Sequence, residues 1–342
     1  MKPLKMSPVP VSPCCSFQTT PTTTFQNTST PPYPHLGEFN YLIYGLVMSF
    51  ILFLGFFGNV LTIIVLRQKE HRKKMIVPFI INLAAADVFI VVFGYPIAVS
   101  SILSKDFITL ERTRCKWSAF VNSSIGIASI ITFTVMSILM CHSVTNKKTT
   151  RRHFSNKTYV VMMLAIWGYG ILTSCPPLLG WSTFVPGFGG ISCGPKWASN
   201  QLEDRAYNAF LVFTGFVLPL IIIITCYSKI FRVLRIKDYS SKSNKLREAW
   251  QRSQKKIVQM IGFSVAAFIF SWTPYCIVSV VSAIKGKNDL SPLEAEIPEL
   301  MAKASVIYNP FVYTMMNARF RRSLKILVFR SLKIEQREEN SI

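Results

Sequence analysis

The segment IPELMAKASVIYNPFVYTMM, residues 297–316, decides the fold because it sets one lysine inside a long apolar run. Such a run can cross a bilayer, which takes about 20 mostly apolar residues. An ammonium group is costly in hydrocarbon, so an ionisable residue inside a span indicates a functional site. The alternative is that Lys303 snorkels outward, since it follows Ile297 by six residues, about 9 Å of helix.

Six further apolar runs precede this segment, at residues 41–66, 75–103, 118–140, 159–181, 209–227 and 257–284. In lipid a chain must satisfy its backbone hydrogen bonds internally, so the runs are predicted to be helices. Only 16% of the residues are charged, against about 25% in soluble domains. The predicted fold is all-α, a seven-transmembrane helix bundle.

The net charge of +22 is distributed unevenly. Of the 38 Lys and Arg residues, 27 lie at 67–74, 147–157, 229–256 and after residue 318. The positive-inside rule places these segments in the cytoplasm. A multi-pass plasma-membrane protein with an extracellular N-terminus and a cytoplasmic C-terminus is therefore expected. The basic face suits anionic membrane lipid and an acidic protein partner rather than nucleic acid.

Composition divides the chain into three parts. Residues 1–38 are rich in Pro, Thr and Ser and are expected to form a disordered extracellular tail. Asn27 begins an Asn-Thr-Ser glycosylation sequon on that side. Residues 39–317 hold the transmembrane domain, and residues 318–342 an amphipathic, basic eighth helix with a short cytoplasmic tail.

Polar and helix-breaking residues recur inside the spans, and each alone is consistent with a helix–helix hydrogen bond. They are Asn59 after Gly58, Asp87 in NLAAADV, Pro219 and Tyr227, Pro274 in FSWTPY, and Asn309, Pro310 and Tyr313 in NPFVY. Together they resemble the rhodopsin-like class of G-protein-coupled receptors over about residues 41–325, and in that class they form the activation motifs. Cys115 and Cys193 fit the same pattern, and both lie on the oxidising side, where a disulfide is expected.

Lys303 narrows the resemblance to opsins, because it precedes Asn309 by six residues, as in opsins. The stretch AKASVIYNPFVYTMMNARFRR (302–322) resembles the opsin helix-seven signature, and GWSTFVPGFGGISCG (180–194) resembles the opsin outer-loop plug. The resemblance implies that Lys303 carries 11-cis-retinal covalently as a Schiff base. It also implies a chromophore pocket formed by Ser123, Gly126, Phe216, Trp272 and Tyr275. An amine receptor is less consistent, since Asn122 stands where such receptors have an aspartate.

The negative partner of the Schiff base is the sharpest departure from the opsin pattern. Opsins use a glutamate at one of two positions, occupied here by Ser118 and Gly187. In lacking both glutamates, the chain resembles a group of anthozoan opsins. Of sixteen acidic residues, only Asp87 and Glu299 are expected at useful depth in a span.

Two hypotheses for the counterion follow. Glu299 precedes Lys303 by four residues, about 6 Å along one helix face, the spacing of an ion pair. It is therefore a candidate counterion, directly or through water, although it could also end the acidic outer loop and face water. The second hypothesis is a bound chloride, with the Ser118 hydroxyl as a candidate anion site.

The cytoplasmic end departs from the family as well. Met140 stands where the class has the arginine of its Asp/Glu-Arg-Tyr motif, and Gln254 replaces the acidic partner on helix six. The predicted function is a light-sensing receptor that activates a heterotrimeric G protein, not an enzyme, with no catalytic residue and no metal. The alternative is a retinal photoisomerase with weak or no G-protein coupling. A microbial-type retinal pump or channel is disfavoured by NPFVY and the Cys115–Cys193 pair.

Overall fold

The computed structural model describes residues 37–71, 74–104, 112–145, 154–187, 190–239 and 245–327, all within one compact unit, Tyr33–Ile342. Asn27 and most of the predicted N-terminal tail lie outside the described residues, as do residues 328–342. The helices are α1 (Glu38–Leu66), α2 (Val77–Phe93), α3 (Pro96–Ser104), α4 (Arg112–Thr145), α5 (Asn156–Ser174), α6 (Leu202–Val212), α7 (Leu218–Tyr239), α8 (Lys245–Lys285), α9 (Pro292–Lys303), α10 (Ser305–Met316) and α11 (318–327).

Five helical stretches among the described residues are long and apolar enough to cross a membrane. They are Phe39–Leu66, Val77–Ser100, Thr113–Thr145, Leu202–Arg235 and Gln254–Lys285. The remaining two predicted spans, 159–181 and 297–316, correspond to α5 and to α9 with α10, and these segments are helical too. All seven predicted runs therefore lie on helices, while length and composition alone support five of them.

Helix α4 lies at the centre of the bundle and packs against α2, α5, α7 and α8. It can be buried because its hydroxyl side chains bond to its own backbone: Thr132, Thr134 and Ser137 each donate to the carbonyl oxygen four residues earlier. Large apolar side chains such as Leu172 and Phe270 point outward instead and are exposed. An apolar outer surface around a core that contains hydroxyls is what a lipid environment requires.

Three helix irregularities shape the region that will hold the site. A π-helical turn, Phe213–Val217, separates α6 from α7, and Pro274 lies inside α8. The last transmembrane segment is interrupted directly after Lys303, since α9 ends there and α10 begins at Ser305. Irregular turns of this kind leave backbone groups without their regular helical partners and often occur at functional sites.

A short hairpin covers the end of the bundle that the sequence predicts to be extracellular. Strands β1 (Phe184–Pro186) and β2 (Cys193–Pro195) pair antiparallel, with Pro186 opposite Cys193. The predicted disulfide is confirmed: Cys193 is bonded to Cys115 of α4, 78 residues earlier. The hairpin is thereby attached to the central helix.

The residues that follow β2 are fixed by a buried carboxylate, Asp204 of α6. It forms an ion pair with Lys196 at 2.9 Å and accepts hydrogen bonds from Ser182 at 2.7 Å and Ser199 at 2.6 Å. These bonds join the segments on either side of the hairpin to α6. The cover over the bundle is therefore held at both ends, by a disulfide and by this hydrogen-bonded carboxylate.

On the opposite side, α11 packs beneath the bundle where the amphipathic eighth helix was predicted. The ring of His71, in the loop between α1 and α2, is hydrogen-bonded to Ser323 of α11 at 3.0 Å. Burial lowers the pKa of His71, and the nearby Lys74 lowers it further. Neutral His71 thus contributes to holding α11 against the loop.

This contact predicts a loss of stability in mild acid. Because the pKa of His71 is lower in the folded state than its ordinary value of 6.5, the unfolded chain binds the proton first as the pH falls. The contribution of His71 to the free energy of unfolding is therefore present above about pH 6.5 and is lost as the pH falls below it. Thermal unfolding at pH 7.5 and pH 5.5 should show a smaller acid-induced decrease for His71→Gln than for the wild type. His142→Gln, at an exposed histidine, is the control, and an equal decrease in all three proteins would contradict the prediction.

Candidate functional site

Lys303 is enclosed by the bundle rather than directed to the membrane surface. It is 4% exposed, and its Nζ donates to Glu299 Oε1 at 2.6 Å and to the Tyr44 hydroxyl at 3.2 Å. Glu299 lies one turn earlier on α9, and Tyr44 lies on α1. The snorkelling hypothesis is wrong, because the amine is buried and bonded within the bundle.

Lys303 and Glu299 line a cavity of about 120 Å³ in the half of the bundle that the hairpin covers. The five residues predicted for the chromophore pocket all line it as well: Ser123, Gly126, Phe216, Trp272 and Tyr275. Residues from α4, the π-helical turn, α8 and α9 are thus brought together around one largely apolar space that Lys303 also lines.

The position of the Trp272 ring depends on a glycine. A Cβ atom added at Gly126 would lie 2.8 Å from the Trp272 ring, closer than real Cβ contacts allow. On its other side the ring stacks on Phe268 at 5.6 Å between centroids, and its Nε1 donates to Ser305 at 3.3 Å. The indole is therefore held between α4, α8 and α10, where it forms the floor of the cavity.

The hairpin and the segment after it form the roof. The residues that line the cavity from the hairpin side are Cys193, Gly194, Pro195 and Trp197. Trp197 Nε1 donates to the Tyr275 hydroxyl at 3.1 Å, which joins the roof to α8. A molecule bound beside Lys303 would be shielded from bulk water on this side.

Of the two positions where opsins have a glutamate, Ser118 does not line the Lys303 cavity, whereas Gly187 lies close to the carboxylate that pairs with Lys303. The Ser118 hydroxyl donates to the Gly94 carbonyl at 2.9 Å and accepts from Asn122 at 3.3 Å, and Ser118 is not among the residues that line the cavity. A Cβ atom at Gly187, by contrast, would lie 3.6 Å from Glu299 Oε2 and 3.8 Å from Glu296 Oε1. Two helix-seven carboxylates therefore point to the place where a loop glutamate would begin.

Glu296 is a buried acidic residue that the sequence pattern did not predict at this depth. The expectation that only Asp87 and Glu299 lie at useful depth is wrong, since Glu296 is 2% exposed. Its position seven residues before Lys303 was the available signal, because seven residues make two helical turns and share one face. Glu296 also belongs to the acidic stretch LSPLEAEIPEL, which is typical of an exposed loop, and this obscured the helical spacing.

The predicted activation residues form a polar layer below the cavity. Asn309 donates to Asp87 at 3.0 Å, and Asn59 donates to the backbone carbonyls of Gly55 at 2.8 Å and Val306 at 2.9 Å. These bonds connect α1, α2 and α10. Asp87 and Asn309 are thus bonded directly although they are far apart in the sequence, and Asn59 is joined to the backbone of α10.

The remaining predicted motif residues lie farther from the hairpin-covered end or within helices. Tyr227 donates to the Val258 carbonyl at 3.4 Å, and Tyr313 is buried in the main core together with Met140. The three prolines lie on three helices: Pro219 on α7, Pro274 on α8 and Pro310 on α10. The apolar side chain of Met140 occupies the position where the class has the arginine of its Asp/Glu-Arg-Tyr motif.

Residues 58–313 match the family described as 7 transmembrane receptor (rhodopsin family). With the bundle, the disulfide and the helix-seven motif in place, the chain belongs to the rhodopsin-like, class A receptors and within them to the opsins. It is 33% identical to "Rhodopsin, G0-coupled" of Mizuhopecten yessoensis over 82% of this chain and 70% of that protein. It is 30% identical to melanopsin of Phodopus sungorus over 86% of this chain and 64% of that protein.

The fold agrees with a solved opsin structure. Squid rhodopsin superposes with a TM-score of 0.79 at 23% sequence identity, covering 88% of both chains. The chain spans about two thirds of the length of the curated relatives given above. The family assignment supports a multi-pass membrane receptor and not a microbial-type pump, while the resemblance to anthozoan opsins stays a prediction.

Proposed function

We propose that this opsin is a light-sensing receptor that carries retinal covalently on Lys303. The observation that carries the proposal is a buried primary amine, ion-paired at 2.6 Å, that lines a largely apolar cavity. Retinal supplies the absorption of light and an isomerisation that changes its shape. The residues fit this group, since an aldehyde requires a primary amine and a polyene requires apolar walls.

The side chains of the site have distinct roles in this proposal. Lys303 would hold retinal, because the lone pair of a neutral primary amine is the nucleophile that an aldehyde requires. Glu299 faces the same nitrogen and is the counterion supported by the geometry, since a buried positive charge needs a close negative partner. Trp272, held against Gly126, is the group that a change of ligand shape would displace.

Chloride is the second counterion hypothesis. It is less well supported, because the Ser118 hydroxyl that was predicted to hold it donates to Gly94 and lies away from the Lys303 cavity. The direct contact of Glu299 with Lys303 needs no additional ion. We therefore assign the counterion to Glu299.

Signalling is proposed to follow from movement of α8, in which Pro274 lies beside Trp272. A helix that contains proline lacks one backbone hydrogen bond and can bend at that point. The expected partner is a heterotrimeric G protein at the basic cytoplasmic face, at the plasma membrane. Relatives named as G0-coupled and GQ-coupled rhodopsins support coupling in general.

One observation favours a second function, a retinal photoisomerase. The arginine that contacts the G protein in this class is replaced by Met140, which is buried in the core. Such a protein would bind and isomerise retinal in the same pocket without efficient signalling. The two functions share the site and differ only in their product.

Reconstitution with 11-cis-retinal tests the proposal. The purified protein should show a visible absorbance band that light changes, and illumination should increase nucleotide exchange on an added G protein. A preparation without any visible band would contradict retinal binding. A light-sensitive pigment that releases isomerised retinal but leaves nucleotide exchange at its dark level would favour the photoisomerase.

A further inference from the structure

The main-chain carbonyl of Lys303 is bonded to a side chain rather than to the next helical turn. In a continuous helix this carbonyl would accept from the N–H four residues later, that of Ile307. Here the Ile307 N–H bonds to the Ala304 carbonyl at 3.1 Å, because α9 ends at Lys303 and α10 begins at Ser305. A buried carbonyl requires a partner. The Tyr95 hydroxyl supplies it by donating to the Lys303 carbonyl at 3.3 Å.

A second irregular turn brings Tyr95 to this place. The N–H groups of Gly94 and Tyr95 both bond to the Ile90 carbonyl, at 2.8 and 3.0 Å, at the end of α2. The turn is therefore one residue wider than a regular α-helical turn. Pro96, which has no N–H to continue it, begins α3. Tyr95 is 2% exposed in this turn, so two helix interruptions meet inside the bundle and the Tyr95 phenol joins them.

Tyr95 lies between the chromophore cavity and a smaller pocket below it. It lines both spaces, and the smaller pocket is also lined by Asp87 and Asn309 of the polar layer. Lys303 is thus restrained at both ends. Its nitrogen is paired with Glu299 at 2.6 Å, and its main-chain carbonyl is bonded to Tyr95. The first contact holds the amine, and the second holds the backbone from which the amine extends.

The backbone contact matters because of where Lys303 lies in its helix. Helix ends fray, and Lys303 is the last residue of α9. Fraying at this residue would carry the amine away from the cavity and from Glu299, which lies in the preceding turn. The Tyr95 hydroxyl opposes fraying, since it gives the terminal carbonyl a partner outside the helix. A displacement of about 1 Å at a reacting group can cost about a hundredfold in rate.

Resting on the proposed function, we propose that Tyr95 is a positioning residue for the chromophore lysine. Its hydroxyl holds the Lys303 carbonyl and keeps the last turn of α9 closed, so that the amine faces both Glu299 and the cavity. Tyr95 acts through the main chain of the lysine and exchanges no proton with the reacting atoms. The rate of retinal attachment should therefore depend on a hydroxyl group that is bonded to the backbone.

Tyr95→Phe removes the hydroxyl and keeps the ring. The rate of 11-cis-retinal uptake by the retinal-free protein is measured at increasing retinal concentration, which separates entry into the cavity from attachment to the amine. The limiting rate at saturating retinal should fall about tenfold or more, as expected for a misplaced reacting group. The half-saturating concentration should stay the same, whereas a reshaped cavity would change it.

Tyr159→Phe is the matched control. The Tyr159 hydroxyl on α5 also donates to a main-chain carbonyl, that of Met75 at 3.2 Å, and neither residue lines the cavity. The two substitutions remove the same kind of bond, so both should lower the thermal stability of the retinal-free protein. The limiting rate of retinal uptake should fall only in Tyr95→Phe.

The bond itself can be observed in the retinal-free protein by infrared spectroscopy. When the carbonyl carbon of lysine is labelled with carbon-13, Tyr95→Phe should move one component of the labelled amide band to higher frequency, because that carbonyl has lost a hydrogen bond. Tyr159→Phe should leave the labelled band unchanged, since its acceptor is a methionine. Ring-fluorinated tyrosine in the wild type is a stronger donor and should move the same component to lower frequency. This measurement decides the matter if Tyr95→Phe does not fold.

Three results would overturn the positioning role of Tyr95. They are a wild-type limiting rate in Tyr95→Phe, an equal slowing in Tyr159→Phe, and a labelled band that neither Tyr95→Phe nor fluorinated tyrosine changes. A change confined to the half-saturating concentration would also count against it. Failure of the proposed function looks different, because the wild type would then form no pigment at any retinal concentration while the infrared difference would remain.

Discussion

Replacement of Lys303 by arginine is expected to abolish the visible absorbance band completely while the protein still folds. A guanidinium remains positively charged in proteins and offers no neutral primary amine to an aldehyde. Arginine can nevertheless keep an ion pair with Glu299 one turn earlier on the same helix. The loss of pigment would thus be separated from the loss of charge.

Lys303→Ala should also form no pigment, but at a larger cost in stability. It leaves Glu299 and Tyr44 without the amine that now bonds to both. Removal of one partner of a buried ion pair costs about 3–5 kcal/mol, so thermal unfolding of the retinal-free protein should rank wild type above arginine and arginine above alanine. Lys196→Arg, at the lysine paired with Asp204, is the control and should retain the band. A wild-type spectrum from either Lys303 variant would refute the covalent attachment.

Glu299→Gln is expected to have the second largest effect. The substitution keeps the size of the side chain but removes the negative charge 2.6 Å from the Lys303 nitrogen. A loss of about 3 kcal/mol for the charged nitrogen corresponds to about a hundredfold change in its protonation equilibrium. In the reconstituted pigment, the midpoint of the pH titration of the visible band should therefore fall by about two pH units.

The anion content of the buffer separates the two counterion hypotheses in the same titration. If Glu299 is the counterion, exchange of chloride for a bulky anion should leave the wild-type spectrum unchanged. Chloride should then partly restore the visible band only in Glu299→Gln, where the carboxylate charge is missing. A Glu299→Gln pigment with the wild-type midpoint, together with a wild-type pigment that responds to chloride, would transfer the role to the anion.

Much of the site could be predicted because spacing on a helix is fixed. The four-residue spacing of Glu299 and Lys303 places both side chains on one face, and the structure joins them at 2.6 Å. Cys115 and Cys193 were predicted from their shared compartment and are bonded. Such inferences succeed because they depend on local geometry or on a covalent bond that the compartment permits.

The parts that were missed depend on packing between distant segments. Nothing near Lys303 in the sequence indicates that Tyr44, 259 residues earlier, would contact it across the bundle. The engagement of Ser118 with the Gly94 carbonyl depends on how α4 meets the end of α2. The π-helical turn at Phe213–Val217 likewise has no simple sequence signature. Contacts of this kind are set by the whole fold, not by periodicity.

The interruption of the last transmembrane segment after Lys303 separates two kinds of contact. Glu299 and Lys303 lie in the same helix, α9, so their separation is retained when that helix shifts or tilts as a body. Tyr44 belongs to α1, and its bond to Lys303 spans two helices that can slide past each other. Displacement of α9 from α1 would break the bond to Tyr44 and leave the ion pair intact. The negative partner of the nitrogen is thus independent of how α9 packs against α1, whereas its second hydrogen bond exists in only one arrangement of the two helices.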